Sequence, residues 1–361
     1  MLKRSTAALL IFLVSLFGSV SGQSESSSDS LDELALSRAL FDDQQDRFGS
    51  LDSRLIEPLE QLADALMQLN QFDEAHTMLD RALQIVRIED GLYTEIQRPL
   101  LEKKIANFAN RGDWDSAREN MEHLLWLYTN KSLQIDQVLI ADLLELSRSH
   151  LRALAEDNYV WQGFHFRQSS QIRWLALGVA ESLWGKTDER LVPIIYEQLR
   201  QFYLQTVALW RGGPTSYSLR QVVPGSNILR DRSDVNESFY ETGMGLIDTV
   251  FSIYSDSEPP NLEAMAMTNV YLADWHILFN DPQAATETYR QAYQELLASG
   301  VDAELANEFF SQPMVLPDTE FYASMEAGVA AQRKSMVTIG EGNSDAYLSF
   351  NEWSAALPNV R

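Results

Sequence analysis

The most suggestive catalytic motif in this sequence is Gly185-Lys186-Thr187, which matches the end of a phosphate-binding P-loop. A P-loop also requires a glycine five residues earlier and a preceding β-strand, because its backbone amides must wrap around the phosphates. Position 180 is Ala180, and the residues from Leu175 to Leu183 have the spacing of a helix. We therefore interpret Gly185 as a turn glycine and predict no nucleotide site.

The histidines show no metal-binding spacing, since none forms an HExxH motif or a close pair with a second histidine. They are His76, His123, His150, His165 and His276. His276 occupies a large-residue position of a helical pattern, so we expect it to pack. The chain has no cysteine, which excludes thiolate zinc sites, iron–sulfur clusters and thiol catalysis. No G-x-S-x-G elbow is present, although a triad of residues distant in sequence stays open. We predict no catalytic residue, no metal and no cofactor.

Arginines are concentrated in the segment 211–234. Across residues 211–232, four arginines oppose one aspartate, which gives +3 in a chain of net charge −24. Glycines and prolines at 212–214 and 224–225 break helices, so we predict an inserted loop of more than 20 residues. Long loops in compact repeats are often functional. One interpretation is a flap that binds an anion or an acidic peptide through Arg220, Arg230 and Arg232. The other is that these arginines pair with acidic helices of the same chain.

The segment from Tyr159 to Trp174 combines aromatic residues with arginines, a composition typical of binding hot spots. Trp161 and Arg167 are therefore candidate partner-binding residues. The same spacing also suits a helix buried between its neighbours, and we expect packing to be the main role of this segment.

Charge and the N-terminus limit the partners and the compartment. A net charge of −24, from 28 basic and 52 acidic residues, repels phosphate backbones, so we predict no nucleic-acid partner. Lys3 and Arg4 precede an apolar run from Ala7 to Phe17 and then small residues. This run of about eleven residues is shorter than the roughly 20 of a membrane span, so residues 1–22 are predicted to be a cleaved signal peptide. We predict an exported protein, periplasmic, secreted or at the cell surface, with no stable membrane insertion after cleavage.

Apolar residues recur three and four positions apart from Leu31 onward for about 270 residues, which predicts an all-α fold. Within this pattern, large and small residues repeat at matching intervals. The repeated positions are Leu62, Ala63, Ala75, Leu79 and Ala82; Ala117 and Met121; and Leu272, Ala273, Ala285, Tyr289 and Ala292. Small residues allow two helices to approach closely, and the large ones fill the space between successive pairs. Asp73 and Asp113 are predicted helix caps, and Pro282 suits a first turn.

A second recurrence joins distant parts of the chain. Phe48-Gly49 is followed by Asp52, Arg54 and Leu55, and Trp184-Gly185 is followed by Asp188, Arg190 and Leu191 at the same intervals. We interpret both as a turn between helix pairs, in which an aromatic helix end meets a glycine stop and an aspartate caps the next helix.

The repeated positions resemble the tetratricopeptide (TPR) pattern of two antiparallel helices. The interval of 42 residues from Ala75 to Ala117 is longer than the 34 of a standard TPR and resembles repeats of the kinesin-light-chain type. The runs 81–93, 112–114 and 125–128 are similar to a group of exported proteobacterial TPR proteins, some with a TonB-like C-terminal domain. The tail 301–361 departs from that group: Ala346–Phe350 is one predicted strand, and the chain ends before such a domain would form.

These marks predict a TPR-like α-solenoid. Residues 23–30 are a flexible linker, 31–155 and 156–300 are the N-terminal and C-terminal repeats, and 301–361 is a mostly irregular tail. The predicted helices are 31–47, 52–69 with 72–89, 93–110 with 113–129, 134–154 with 159–183, 188–210 with 235–255, and 260–279 with 282–299.

The leading functional hypothesis is a non-catalytic scaffold that binds a protein or peptide in the groove of the stack, since stacked helix pairs create such a surface. The alternatives are a small-ligand receptor or hydrolytic enzyme with a pocket under the 211–234 loop, and a structural role through self-association.

Overall fold

The computed structural model describes residues 26–92, 94–129, 135–223, 226–311 and 320–331. These residues form an all-α fold, as predicted. The helices are α1 (Ser26–Phe48), α2 (Ile56–Gln68), α3 (Phe72–Glu89), α4 (Gln97–Arg111), α5 (Trp114–Tyr128), α6 (Gln137–Glu156), α7 (Gln162–Trp184), α8 (Val192–Arg211), α9 (Gly213–Arg220), α10 (Arg232–Ser255), α11 (Leu262–Leu278), α12 (Pro282–Ser299) and α13 (Ala303–Ser311). Residues 325–331 are also helical.

The chain divides into two compact units. The N-terminal unit comprises residues 1–135 and 145–158, and the C-terminal unit comprises 136–144 and 159–361. The boundary after Asn158 lies three residues beyond the one that the sequence placed after residue 155, and it also assigns the first part of α6 to the C-terminal unit. Of these helices, only α6 is therefore shared by both units.

In the N-terminal unit, α1 to α4 each pack on the next helix along the chain. The repeated small residues are completely buried where the helices pair, and the repeated large residues lie in the same core. The buried members are Leu62, Ala63, Ala75, Leu79, Ala82, Ala117 and Met121. Asp113 caps α5 as predicted, accepting a hydrogen bond from the Ser116 amide at 3.2 Å. Asp73 is not a cap; it lies inside the first turn of α3, where its carboxylate pairs with Arg111.

The two recurrent turns adopt one geometry. Gly49 ends α1 with a φ of +89°, and Gly185 follows α7 with a φ of +90°, a region that favours glycine. In each turn an aspartate, Asp52 or Asp188, accepts the amide of the arginine two residues later, at 3.0 Å and 2.9 Å respectively. The predicted turn is confirmed at both positions. The glycine of the Gly-Lys-Thr motif therefore lies in a turn that follows a helix.

In the C-terminal unit, α8 packs on α10, and α11 packs on both α10 and α12. Ala273, Ala285 and Ala292 are completely buried between α11 and α12, while Leu272 and Tyr289 are partly buried. The Tyr289 hydroxyl donates to Asp274 of α11, a carboxylate that is itself buried. Buried side chains Phe309, Tyr322, Met325 and Val329 join the same core, so the described part of the predicted tail packs against α11 and α12.

The segment 211–234 differs from the predicted loop. Helix α8 continues to Arg211, and α9 follows after Gly212, whose φ is +82°. Pro214 stands in the first turn of α9, where its missing amide removes no hydrogen bond. The glycine pair changes the chain direction and the proline starts a new helix, so these residues separate two helices. Among the described residues of this segment, Gly212 and the stretches 221–223 and 226–231 are non-helical, with an antiparallel bridge between Gln221 and Leu229.

The predicted flexible linker 23–30 is also wrong in its second half, because α1 begins at Ser26. Serine and aspartate are favourable at helix N-termini, so a short polar stretch of this kind extends a following helix as readily as it forms a coil. The predicted signal peptide 1–22 and the strand Ala346–Phe350 lie outside the described residues. Within the described part of the chain, no helix combines the length and apolar character needed to cross a membrane.

Candidate functional site

A groove opens in the N-terminal unit between α4, α5 and the second part of α6. Its volume is about 480 Å³. The floor is apolar and is formed by Ile105, Ala106, Ala109, Trp114, Met121, Leu124 and Leu146. We call this the N-terminal groove. It lies where the two helices of one pair, α4 and α5, meet the next helix along the chain, α6.

The rim of the N-terminal groove carries charged side chains that are already paired. Arg148 pairs with Glu145, and Arg152 pairs with Glu156 at 2.9 Å. Lys103 on the α4 side lies 3.4 Å from Glu60. The pairs on α6 are 41–61% exposed, so each is weak and each arginine is available to a charged ligand.

The N-terminal groove continues into a shallower cleft at the end of α4. This cleft is lined by Asn70, Phe72, Asn110, Arg111, Gly112 and Glu156, and it shares Ala109, Trp114 and Arg152 with the groove. The Arg152 guanidinium lies 5.9 Å from the centre of the Trp114 ring, on which it stacks as a cation–π contact. Aromatic, apolar and cationic groups therefore converge along one continuous channel.

Apart from Met121, a repeated position, the sequence did not single out the residues of this groove. Lys103, Arg148 and Arg152 stand on ordinary amphipathic helices, and each has the spacing of a solvated position. The sequence signal that could indicate this groove is Ala106 and Ala109, two small residues of α4 that line it. Their role depends on how α6 packs, and this packing cannot be derived from residue spacing.

The predicted anion-binding arginines lie on one segment but do not converge. Arg220 donates from Nε to the carbonyl of Arg230 at 2.9 Å, and Arg230 donates to the carbonyl of Asp234 at 3.3 Å. The guanidinium of Arg232 lies 5.6 Å from the centre of the Trp210 ring. Among the described residues, no carboxylate lies within ion-pair distance of these three arginines, so the alternative of pairing with acidic helices is wrong in this part of the chain.

Arg167 and Trp161 have different environments. Arg167 donates to the Ser218 carbonyl at 2.6 Å and fastens α7 to α9, and burial lowers its pKa. Trp161 is 41% exposed and belongs to a single turn, Tyr159–Trp161, that contacts α9. The Trp161 ring packs edge-on against Phe164, with 5.7 Å between the ring centres, so the expected packing is present although part of the ring is exposed.

The space beneath the 211–234 segment is filled at α7. A Cβ atom at Gly163 would lie 2.0 Å from the Ser218 Cβ, so α9 rests directly on the backbone of α7. Tight backbone contact of this kind leaves no room for a ligand at that point.

The histidines serve packing or surface pairing. His276 is 7% exposed, its Nδ1 lies 3.1 Å from the Tyr240 hydroxyl, and burial lowers its pKa, which agrees with the expected packing role. His76 lies 3.0 Å from Asp80. Within the described ranges, no group of three or more potential ligands is arranged to hold a metal ion.

Comparison with known proteins adds little. No protein-family model matches the sequence, and no curated protein matches it significantly. Among solved structures, the chain is similar to BtubC (BKLC) from P. vanneervenii, at 14% sequence identity over 82% of this chain and 95% of that chain. The TM-score is 0.37, and a similarity this weak carries no information about family or function.

Proposed function

We propose that this protein is a non-catalytic, TPR-like scaffold that binds an extended peptide segment of a protein partner in the N-terminal groove. The observation that supports this proposal is the groove itself, which has a buried apolar floor and a rim of exposed arginines and carboxylates. Apolar pockets with a few polar groups are the usual form of binding sites.

The dimensions of the groove suit a peptide. The stretch of α4 from Glu102 to Arg111 rises about 14 Å, at 1.5 Å per residue. An extended chain covers the same distance with about four or five residues, at roughly 3.3 Å each. Alternate side chains of such a segment point into the floor and toward the rim, which matches an apolar base between charged edges.

The TPR resemblance supports the same function. In the N-terminal unit, helices joined by short turns pack on their neighbours along the chain, and the repeated alanines are buried between them. In stacks of this kind, a concave surface formed by the first helices of successive pairs is the natural place for a ligand. We also propose that the protein is exported, on the charge and length of residues 3–17. The mass of the mature protein, isolated from cells that express the complete sequence, tests the predicted cleavage after Gly22.

Site-specific photo-cross-linking tests the peptide-binding proposal. Benzoylphenylalanine at Ser149, inside the groove, is expected to cross-link one defined segment of a partner in an envelope extract. The same group at Glu122, which is exposed on α5 outside the groove, is the matched control and should give no such product. Ala106→Phe fills the groove and should abolish the cross-link from Ser149. Equal labelling from both positions, or no product from Ser149, contradicts the proposal.

A further inference from the structure

The C-terminal unit has a groove in the corresponding place, between α8, α10 and α11, and a segment of the same chain occupies it. The groove is lined by Ile195, Tyr196, Leu199, Leu246, Ile247, Val250, Thr268 and Tyr271, and Phe321 lies in it. We call this the C-terminal groove. The Phe321 ring centre lies 4.6 Å from that of Tyr271 and 6.0 Å from those of Tyr196 and Tyr254. Contacts of this length between aromatic rings are favourable.

Two side chains of α11 also hold the backbone of this segment. The Tyr322 amide donates to the Tyr271 hydroxyl at 3.0 Å, and the Met325 amide donates to a Glu263 carboxylate oxygen at 2.8 Å. Tyr322 is non-helical and Met325 is the first residue of the helix 325–331, so neither amide has a partner within a helix. An aromatic anchor with two captured amides is the way in which a groove binds an extended peptide.

The internal segment does not fill all the space beside the C-terminal groove. Phe321 is only partly buried, and a cleft of about 230 Å³ adjoins its ring. Three carboxylates, those of Glu189, Glu197 and Glu320, line this cleft. Glu197 pairs with Arg200 at 2.6 Å and Arg173 at 3.4 Å, whereas no described cation lies within ion-pair distance of Glu189 or Glu320.

The negative charge reaches the aromatic cluster. Burial, followed by the charge of Glu189, raises the pKa of Tyr254 to about 12. The internal occupant adds the carboxylate of Glu320 to the same cleft, and like charges repel one another. A partner segment with a lysine or arginine at the position of Glu320 would be attracted by the carboxylates of this cleft, whereas Glu320 is repelled by them.

We infer that the C-terminal groove is a second binding site, in which Glu320 and Phe321 are an internal occupant whose place a partner segment takes. The partner segment is extended and carries an aromatic residue next to a lysine or arginine. The aromatic side chain takes the place of Phe321 among the three tyrosines, and the cation enters the cleft beside Glu189. This site shares no residue with the N-terminal groove, so the proposal for one groove does not depend on the proposal for the other.

Fluorescence anisotropy with labelled peptides tests the inference on the full-length protein. The peptide DTEFYASMEA copies residues 318–327, and DTKFYASMEA differs from it by one charge. We expect the lysine peptide to bind at least tenfold more tightly than the native one, and DTKAYASMEA to lose at least tenfold. Equal affinities for the two charged forms, or no loss on replacing the phenylalanine, overturn the inference.

Two protein variants locate the site. Phe321→Ala releases the internal anchor and should increase the affinity for DTKFYASMEA severalfold, whereas Phe310→Ala, a partly buried aromatic residue outside the groove, should not. Glu189→Gln should reduce the preference for the lysine peptide, and Glu241→Gln, exposed on α10, is its control. Glu189 is exposed, so its replacement leaves folding intact. Binding that is unchanged in both Phe321→Ala and Glu189→Gln would overturn the assignment.

Discussion

The guanidinium of Arg118 on α5 pairs with the carboxylate of Asp157, which follows the end of α6, and both side chains are at least 91% buried. A second carboxylate, Asp115, contacts the same guanidinium but is 90% exposed. The buried pair fixes the end of α6 against α5. The same helix α6 forms one wall of the N-terminal groove, so this ion pair holds an element that borders the groove.

We expect Asp157→Asn to destabilise the N-terminal unit by about 3–5 kcal/mol, because it leaves a buried guanidinium without its main counter-charge. Asp115→Asn should cost less than about 1 kcal/mol, since exposed pairs are weak. Urea denaturation of the two variants measures both free energies of unfolding. Similar losses in the two would show that burial does not decide the strength of this pair.

Two glycines on α10 should respond in opposite directions to the same substitution. A Cβ at Gly243 would lie 2.0 Å from the ring of Trp275, whereas a Cβ at Gly245 would meet no atom within 4 Å. We expect Gly243→Ala to cost about 1–3 kcal/mol through overpacking. Gly245→Ala should add up to about 1 kcal/mol, because alanine favours the helix. Thermal unfolding tests this, and a stable Gly243→Ala would mean that the Trp275 ring moves freely.

The aspartates of the two recurrent turns should titrate unusually low. Hydrogen bonds from the Arg190 side chain and amide lower the pKa of Asp188 to about 2, and Arg54 does the same for Asp52. A lowered folded pKa means that the stabilisation is complete above the ordinary value of about 4 and is lost as the pH falls through 2. NMR titration of the Asp188 carboxyl should give a midpoint well below 3. Arg190→Gln should raise it, and Lys186→Gln, a neighbouring cation, should not.

The non-helical part of the 211–234 segment exposes apolar side chains. Val222, Val223 and Ile228 are 56%, 59% and 69% exposed. We expect Val222→Asp and Ile228→Asp to change the free energy of unfolding by less than about 0.5 kcal/mol, as for other surface positions. If the protein self-associates through this surface, light scattering will show a smaller particle in these variants. A large loss of stability would show that these side chains are covered.

The sequence predicted the helices well because their determinants are local. The bounds of α3 and α12 were predicted to the residue, since glycine, asparagine and proline mark short turns on each side. The recurrent turn was recognisable because its aspartate, arginine and glycine interact within seven residues. The prediction of a loop over 211–234 is wrong because its determinant is not local. Gly-Gly-Pro indicates a break in the helix, but whether a second helix follows depends on the contact of Ser218 with Gly163, 55 residues away.

The grooves depended on long-range packing and could not be predicted in detail. Trp114 and Arg152 meet only because α6 returns to α5, and Phe321 reaches Tyr196 from 125 positions further along the chain. Neither of these two contacts produces a periodic pattern in the sequence. What the sequence did predict correctly is the general condition for such grooves, namely small residues at the crossings of paired helices.

Because the recurrent turn precedes both α2 and α8, the pair α2 and α3 corresponds to the pair α8 and α10. This correspondence has a consequence for engineering. In the first block, only residues 69–71 connect the helices, whereas the second block accommodates α9 and the bridged residues Gln221 and Leu229 at the same junction. Asn70 is exposed in this short connection, so we expect α2 and α3 to tolerate a foreign domain or an affinity tag inserted there.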